Sequence, residues 1–239
     1  MNDKYDIFFS MRNERSDIRG LYEMINYINY SFDTSEASMV ELGSYAGQST
    51  CIFGQYFKKV HAVDPWENHN EYSHNMKDVE EAFDFFAGKQ SGIIKHKEYS
   101  VDAAKEFDDS SLDLVYIDAR HEEEYVIQDI EAWLPKVKKS GFIGGHDFYL
   151  HSAKEPWVAK AVLQKFNQPD LLLFKDGSWL TKASKIPEER FLYKAFNQFE
   201  MERVLDGRFP PMNFYLEGVT EKERERVKNR GYETFQPLK

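Results

Sequence analysis

The sequence predicts an α/β fold, a mainly parallel seven-stranded sheet with an antiparallel edge and helices on both faces. Short apolar segments alternate along the chain with longer segments of helical periodicity, as in a parallel sheet whose strands are joined by helices. Several apolar segments end in glycine or in an acid, at the strand ends where such sheets bind their ligands. The last two apolar segments are joined by Asp176-Gly177, a pair typical of a tight antiparallel turn.

The individual elements follow from residue 17 onwards. Apolar residues recur at helical spacing over Asp17–Tyr30 and predict a helix before the sheet. The predicted strands are Ser38–Leu42, Lys59–Asp64, Ile93–Lys97, Leu112–Asp118, Gly141–Gly145, Leu171–Phe174 and Ser178–Lys182. The helices predicted between them are Gln48–Lys58, Met76–Gly88, Val101–Phe107, Glu122–Lys138 and Pro156–Phe166.

This pattern divides the chain into three parts. Residues 1–37 are expected to form an N-terminal helical segment, and residues 38–182 to form the core. The strand–helix alternation stops after Lys182, so residues 183–239 are expected to be a C-terminal extension that is helical or irregular, with a helix over Pro187–Leu205.

Composition narrows the classes of function. The formal net charge of −10 disfavours binding to the phosphates of nucleic acids. No apolar run approaches the roughly 20 residues that cross a bilayer, and the N-terminus lacks a signal-peptide pattern, so we expect a cytoplasmic protein without a membrane partner. Cys51 is the single cysteine, which leaves neither an intramolecular disulfide nor a cysteine-based zinc site.

The ends of the first two strands indicate a nucleoside-like ligand. Gly43 and Gly47 flank a loop of small residues that lets the backbone approach a ligand at the start of a helix. The G-x-G-x-x-G pattern of dinucleotide sites is absent, so an uncharged nucleoside or an amino-acid tail is favoured over a pyrophosphate. Asp64, about 20 residues later, can accept hydrogen bonds from two ribose hydroxyls. Trp66 either stacks near the adenine or covers the core.

Acids and imidazoles follow the fourth and fifth strands. Asp118 ends one strand, and His146 and Asp147 follow the next, so all three are expected to meet at one edge of the sheet. Carboxylates suit a hard divalent cation such as Mg²⁺, although Asp118 could instead cap the next helix. His121 lies three residues after Asp118, where an imidazole can act as a general base.

These residues also carry a resemblance to a known family. The segment Val40–Thr50, VELGSYAGQST, resembles the first motif of class I S-adenosylmethionine (SAM)-dependent methyltransferases. The segment Leu112–Phe148 resembles the hallmark stretch of the type 24 methyltransferases, with I-D-x-x-H, D-x-x-x-W-L-P and H-D-F in family order. That family includes metal-dependent sugar O-methyltransferases of macrolide biosynthesis and relatives near cephalosporin hydroxylase. The resemblance covers roughly Ser38–Lys182 and implies a Rossmann-like SAM methyltransferase fold.

The resemblance also implies roles for single residues. The first-strand loop would hold the methionine part of SAM, Asp64 the ribose, and the segment after the third strand the adenine. The predicted cofactor-binding residues are Glu41, Gly43, Ser44, Gly47, Ser49, Asp64, Trp66, Glu98, Tyr99, Ser100 and Asp118. The predicted metal ligands are Asp118, His146 and Asp147, with His146 at a place where some members have an acid. The predicted catalytic residues are His121 and Asp118.

The function favoured by these features is O-methylation of a small hydroxylated acceptor, sugar or glycoside-like, with Mg²⁺ as a second cofactor. A metal-independent methyltransferase acting on a nitrogen or a phenol is an alternative. A SAM-fold binding or scaffold protein without turnover is another. An NAD-dependent enzyme is disfavoured by the glycine spacing. The acceptor is not identified by any sequence feature, and a homo-oligomer is compatible with the chain.

Overall fold

The computed structural model describes residues 4–11, 18–68, 73–148, 156–166, 171–174 and 176–183, and the backbone of 213–215 and 233–235. The helices are α1 (Lys4–Phe8), α2 (Arg19–Ser31), α3 (Gln48–Tyr56), α4 (Met76–Phe86), α5 (Ser100–Ala103), α6 (Glu123–Trp133) and α7 (Trp157–Lys165). The strands are β1 (Ser38–Leu42), β2 (Lys59–Val63), β3 (Ile93–His96), β4 (Leu112–Ile117), β5 (Val137–Gly145), β6 (Leu172–Leu173), β7 (Trp179–Lys182), β8 (Asn213–Tyr215) and β9 (Glu233–Phe235). Short 3₁₀ turns cover Thr34–Glu36, Ala104–Glu106 and Leu134–Lys136.

The first seven strands form one sheet in the order β3-β2-β1-β4-β5-β7-β6. The strands from β1 to β5 pair in parallel, while β7 runs antiparallel to β5 and pairs with β6 at the edge. This arrangement confirms the predicted fold class. The order reverses between β1 and β4, so the carboxyl ends of these two strands border the crevice where such sheets bind ligands.

Helices cover both faces of the sheet and bury a separate apolar cluster on each. Helices α1 to α4 pack on one face, where Phe8 stacks on Phe86 with ring centroids 4.0 Å apart. Helices α6 and α7 and the short α5 pack on the other face, around the fully buried Trp133. The N-terminal segment therefore contributes to the core. No helix among the described residues is long and apolar enough to cross a membrane.

Several element boundaries differ from the predictions. Helix α6 ends at Trp133 rather than Lys138 because Pro135 cannot continue it, and β5 consequently begins at Val137 rather than Gly141. Helix α1 lies in the predicted N-terminal helical segment, although no individual helix was predicted there. The C-terminal extension was expected to be helical or irregular, yet its described parts are the paired strands β8 and β9, rich in the aromatic residues that favour strands. The helix predicted over residues 187–205 lies outside the described residues.

A close backbone crossing positions the loop after β1 against the end of β4. Gly43 has a φ of +82°, and a Cβ atom there would lie 2.0 Å from the carbonyl oxygen of Asp118. The Asp118 amide donates in turn to the carbonyl of Leu42 at 2.9 Å. Only glycine satisfies both the backbone conformation and the separation, so this residue fixes how closely the two strand ends approach.

A buried acid ties α6 to the segment that follows β3. The Ser100 hydroxyl donates to the carboxylate of Asp129, and the indole of Trp133 donates to the carbonyl of Ser100 at 3.1 Å. Asp129 is 5% exposed. Burial raises the pKa of Asp129 from 3.8 to about 6, although the hydrogen bond from Ser100 opposes the rise.

We expect Asp129→Asn to stabilise the protein at pH 8 and to flatten its pH dependence. An acid whose folded-state pKa is raised contributes most to stability below pH 3.8, and that contribution is lost as the pH rises through about 6. The cost of the buried charge at pH 8 is on the order of 3 kcal/mol. Urea unfolding at pH 4 and pH 8 measures the difference. The exposed Asp102→Asn is the control, and equal pH dependence of the wild type and Asp129→Asn would contradict this account.

We expect Gly43→Ala to lower the free energy of unfolding by about 2–4 kcal/mol, since it combines a left-handed backbone with a clash against main-chain atoms. Gly54→Ala is the matched control, because the nearest atom to its new Cβ ends the flexible side chain of Gln90 and the site is helical. Urea denaturation followed by circular dichroism compares the two. Equal stability of both variants would show that the strand ends separate easily.

Candidate active site

A cavity of about 160 Å³ lies at the carboxyl ends of β1, β4 and β5. Its lining is formed by Phe8, Met11, Gly43, Ser44, Tyr45, Ala46, Gln48, Ser49, Asp118, His121, His146 and Asp147. The structure therefore brings together the glycine loop and the acids and imidazoles predicted from the sequence. The cavity accounts for part of the roughly 300–1,000 Å³ that small-molecule sites occupy.

The acid at the end of β1 lies beneath the cavity. Glu41 is completely buried and accepts a hydrogen bond from the hydroxyl of Thr50 on α3. Burial raises the pKa of Glu41 to about 7, the hydroxyls of Ser49 and Thr50 oppose the rise, and the charge of Asp118 adds to it. Glu41 thus joins the first strand to the helix that follows it.

Gly47 does not line the cavity, and this position requires glycine for a different reason than position 43 does. It precedes α3 with a φ of +85°, and a Cβ atom there would lie 2.7 Å from the Cβ of Ala87 and 2.9 Å from the ring of Phe83. Helix α4 therefore packs directly against this glycine. This close contact with α4 is what requires glycine here, and the predicted cofactor role of Gly47 stays a prediction.

Asp64 fastens the glycine loop to the end of β2. One carboxylate oxygen accepts from the Tyr45 amide at 2.9 Å, and the other from the Trp66 amide at 2.7 Å. Each oxygen keeps a second lone pair, so hydrogen bonds from a ligand remain compatible with both contacts. Burial raises the pKa of Asp64 to about 6, and the two amides oppose the rise.

Trp66 covers the core in this structure. Its indole donates to the carbonyl of Tyr45 at 2.8 Å, its ring lies 4.9 Å from that of Phe83, and it is 4% exposed. The amine of Lys95 lies over the indole at 4.7 Å. Of the two roles considered for Trp66, the structure places the side chain in the packing role.

The residues after β3 lie outside the cavity lining. Tyr99 is 55% exposed and donates its hydroxyl to Glu67, whereas the hydroxyl of Ser100 is turned to Asp129. Glu98 is half-buried. These three residues border the same end of the sheet as Asp64, since the amide of Asp64 donates to the carbonyl of His96 at 3.2 Å.

Two acids and an imidazole converge on the other side of the cavity. The ligand atoms of Asp118, His121 and Asp147, here called the acid–imidazole cluster, all lie within 4.8 Å of one another. Nε2 of His121 is 2.8 Å from Asp147 and 3.8 Å from Asp118. Nδ1 of His146 is 3.2 Å from Asp147 and 4.0 Å from Asp118. The structure thus groups His121, the predicted base, with the two predicted metal ligands, while His146 lies beside them.

The cluster has strongly perturbed electrostatics. Burial alone would lower the pKa of His121, but hydrogen bonds and charges from Asp118 and Asp147 raise it to about 10. Burial alone would raise the pKa of Asp147, but His121 and His146 hold it well below its ordinary range. Asp147 also has a φ of +59°, an uncommon conformation for a non-glycine residue that is found most often at functional sites. The backbone therefore aims this carboxylate at the imidazole at a cost in strain.

Phe8 and Met11 form a wall of the cavity that the sequence analysis does not predict. Phe8 is fully buried against α4, whereas Met11 is 57% exposed at the mouth. The apolar doublet Phe8-Phe9 is the one local signal for this packing. Nothing in the linear pattern relates these residues to strand ends more than thirty positions away. Tyr45 and Gln48 also line the cavity, and their place in the glycine-loop motif is a signal that could have found them.

The donor chemistry of the site fits both groups that the resemblance implies. Both carboxylate oxygens of Asp64 keep a lone pair for a polar ligand, while the buried hydroxyl of Ser44 already interacts with the carboxylate of Glu41. Two carboxylates with an imidazole within 4.8 Å suit a divalent cation, which accepts a few carboxylate ligands and keeps its waters.

Comparison with known proteins places this fold among methyltransferases. A putative O-methyltransferase from Klebsiella pneumoniae has a TM-score of 0.51 at 13% identity, covering 77% of this chain and 91% of its own. A TDP-rhamnose 3'-O-methyltransferase of calicheamicin biosynthesis has a TM-score of 0.50 at 12% identity, covering 76% and 87%. An rRNA methylase from Streptococcus thermophilus has a TM-score of 0.47 at 12% identity, covering 69% and 96%. A search of curated protein sequences finds no match.

The family comparison agrees with the geometry. Residues 40–148 match the type 24 family described as a methyltransferase domain, and this range runs from β1 to the residue after Asp147. It therefore includes the glycine loop, Asp64 and the acid–imidazole cluster. The chain thus contains a region similar to the methyltransferase domain of the type 24 family, and it shares the fold of the O-methyltransferases named above.

Proposed function

We propose that this methyltransferase acts on a hydroxyl group of a small acceptor, with a divalent cation held by Asp118 and Asp147. The observation that carries the proposal is the convergence of Asp118, His121 and Asp147 within 4.8 Å, beside the glycine loop and facing the same cavity. Carboxylates in such a group bind Mg²⁺, and an imidazole beside them is suited to accept a proton.

The glycine loop and the ends of β2 and β3 would hold SAM. Ser44 and Ser49 line the cavity at the start of α3, where a methionine carboxylate would meet the helix amides. Asp64 would accept hydrogen bonds from the ribose, and the segment from Glu98 to Ser100 would border the adenine. SAM supplies a methyl group on a sulfonium leaving group, so the chain's main task is to align the acceptor oxygen with that carbon.

Asp118 and Asp147 would orient the acceptor through the cation they hold. A bound divalent cation would lower the pKa of the acceptor hydroxyl. The cation would take the place of the proton that His121 holds beside the two acids, and the neutral imidazole would then take the acceptor's proton at Nε2, the atom that lies 2.8 Å from Asp147. His146, 3.2 Å from the same carboxylate, would keep Asp147 in its strained orientation rather than serve as a ligand.

Two features narrow the choice of acceptor. The net charge of −10 opposes binding to a nucleic acid and favours a small molecule. The wall formed by Phe8 and Met11 offers apolar contact in the same cavity as the acid–imidazole cluster, as an acceptor with an apolar face would require. Simple glycosides and nucleotide-linked deoxysugars are the acceptors to test first, the latter because one fold neighbour is a TDP-rhamnose 3'-O-methyltransferase.

We expect Asp64→Asn to weaken binding of S-adenosylhomocysteine by about 10- to 100-fold, since charge-assisted hydrogen bonds are replaced by weaker ones. Isothermal titration calorimetry measures the affinity. Asp109→Asn removes an exposed acid that pairs with Lys136, and serves as the matched control. Thermal unfolding verifies that the glycine loop stays folded in Asp64→Asn. Unchanged affinity in a folded variant would remove Asp64 from the cofactor site.

We expect turnover on a hydroxylated acceptor to require a divalent cation and to fall about 100-fold or more in His121→Gln and in Asp147→Asn. The assay follows S-adenosylhomocysteine release with nucleotide sugars, glycosides, a catechol and an amine as acceptors, before and after EDTA treatment. Asp109→Asn is the control for the loss of an acid outside the cavity.

The acceptor panel separates this proposal from its rivals. Restoration of activity by Mg²⁺ on a hydroxyl acceptor would support it. Activity that survives EDTA treatment would contradict the requirement for a cation. A full rate in both His121→Gln and Asp147→Asn would contradict the proposed roles of the base and of the metal ligand. Transfer to the amine alone would overturn the hydroxyl acceptor.

A further inference from the structure

Two imidazoles meet across β2 and β3, beside Phe107 and outside the cavity of the candidate active site. His61 lies within β2 and His96 ends β3, and the strand register pairs His61 with Ile94 and Val63 with His96. The two histidines are thus diagonal neighbours on one face. Nδ1 of His61 lies 2.9 Å from Nε2 of His96, and the ring centroids are 5.1 Å apart. We call these residues the histidine pair.

The histidine pair borders a second cavity, with a volume of about 280 Å³. The polar residues in its lining are Ser38, His61, His96, Glu106, Asp108 and Ser111. Ser38 begins β1, whereas the glycine loop follows its other end, so about 15 Å of extended strand separates this part of the cavity from the loop. The cavity shares no lining residue with the candidate active site, although His96 neighbours Asp64 in the sheet.

The surroundings of the pair resemble those of metal-binding histidines. The carboxylate of Glu106 lies 3.7 Å from Nδ1 of His96, on the opposite side of the ring from His61. A carboxylate at the far nitrogen commonly orients a histidine whose other nitrogen binds a metal. Phe107 packs on His61 with ring centroids 4.9 Å apart and on His96 at 5.6 Å, so both rings are held in place.

The spacing of the two nitrogens is close to that of two ligands of one ion. With Zn–N bonds of 2.0–2.1 Å and a tetrahedral angle, two ligand nitrogens lie about 3.3 Å apart. The observed separation of 2.9 Å differs from this by a few tenths of an ångström, which small ring rotations supply.

We propose that the histidine pair, supported by Glu106, binds a divalent transition-metal ion of the Zn²⁺ class. His61 and His96 supply two nitrogen ligands through Nδ1 and Nε2, and the cavity leaves room for water at the remaining positions. Imidazole nitrogen favours Zn²⁺, Cu²⁺ or Ni²⁺ over Mg²⁺, so this site and the acid–imidazole cluster would differ in the ions they select. A bound ion would link the strand that leads to Asp64 with the strand that leads to Glu98.

The test is calorimetric titration of tag-free, EDTA-treated full-length protein with Zn²⁺. A background of Asp118→Asn with Asp147→Asn removes the acid–imidazole cluster as a competing site. We expect this background to bind one Zn²⁺ per chain, and to lose it when either His61→Gln or His96→Gln is added. Glu106→Gln should weaken binding about tenfold or more, as expected for an orienting carboxylate. His74→Gln, which removes an imidazole elsewhere, should leave the titration unchanged.

A second measurement uses the wild-type chain and so does not depend on the folding of any variant. In protein with ¹⁵N-labelled histidine, Zn²⁺ should shift the ring nitrogen signals of His61 and His96, whereas Mg²⁺ should leave them in place. Zn²⁺ binding that persists in both histidine variants, or ring signals of the pair that do not respond to Zn²⁺, would overturn the proposal. Such results would reduce the pair to a hydrogen bond between neighbouring strands.

Discussion

Three carboxylates are gathered where β1, β4 and β5 end, and their mutual repulsion is the constraint on which the site depends. The charge of Asp118 raises the pKa of the buried Glu41, and Asp147 lies with Asp118 around one imidazole. Parallel strands bring these acids together because their carboxyl ends share an edge. Each acid therefore needs neighbouring groups that offset its negative charge, or a bound proton that removes the charge. The local structure provides a different solution for each of the three acids.

Glu41 is compensated by hydroxyl groups and by its raised pKa of about 7, which allows it to hold a proton close to neutral pH. Asp147 is compensated by two imidazoles at 2.8 and 3.2 Å. Asp118 shares the imidazole of His121, at the longer distance of 3.8 Å. An imidazolium with a pKa of about 10 thus balances the cluster when it holds only protons. A divalent cation would supply the same compensation more strongly, so the histidine and the cation are alternatives for balancing the same pair of acids.

The sheet could be predicted almost completely from the sequence because its signals are local. Apolar runs such as Leu112–Ile117 and the Asp176-Gly177 turn each specify their own structure. The boundary between α6 and β5 was wrong, because Val137–Lys139 carry no strand pattern of their own and β5 is extended by pairing with Leu112. The strands β8 and β9 were not predicted for a related reason. Three residues are too few to show a strand pattern, so each strand is recognised only by its pairing with the other.

The candidate site was predictable to the extent that it depends on strand ends. Asp118, His121 and Asp147 were placed at one edge from their positions after β4 and β5, and the structure brings them within 4.8 Å. Which histidine joins the two acids could not be predicted, because it depends on the left-handed backbone of Asp147 rather than on spacing. The wall formed by Phe8 and Met11 could not be predicted either, because it arises from the packing of α1 on α4.

Two contacts determine the conformation of the loop after β1. The clamp by Asp64 fixes the amides of Tyr45 and Trp66, and the contact of Gly43 with Asp118 fixes the distance between strand ends. Tyr45 and Trp66 both adopt positive φ, which costs each about 1 kcal/mol or more and persists only where the surroundings determine the backbone. Asp64 provides that determination through two hydrogen bonds to the very residues that are strained. An acid at this position therefore acts on the shape of the loop in addition to any contact with the ribose, and replacing it would alter both functions together.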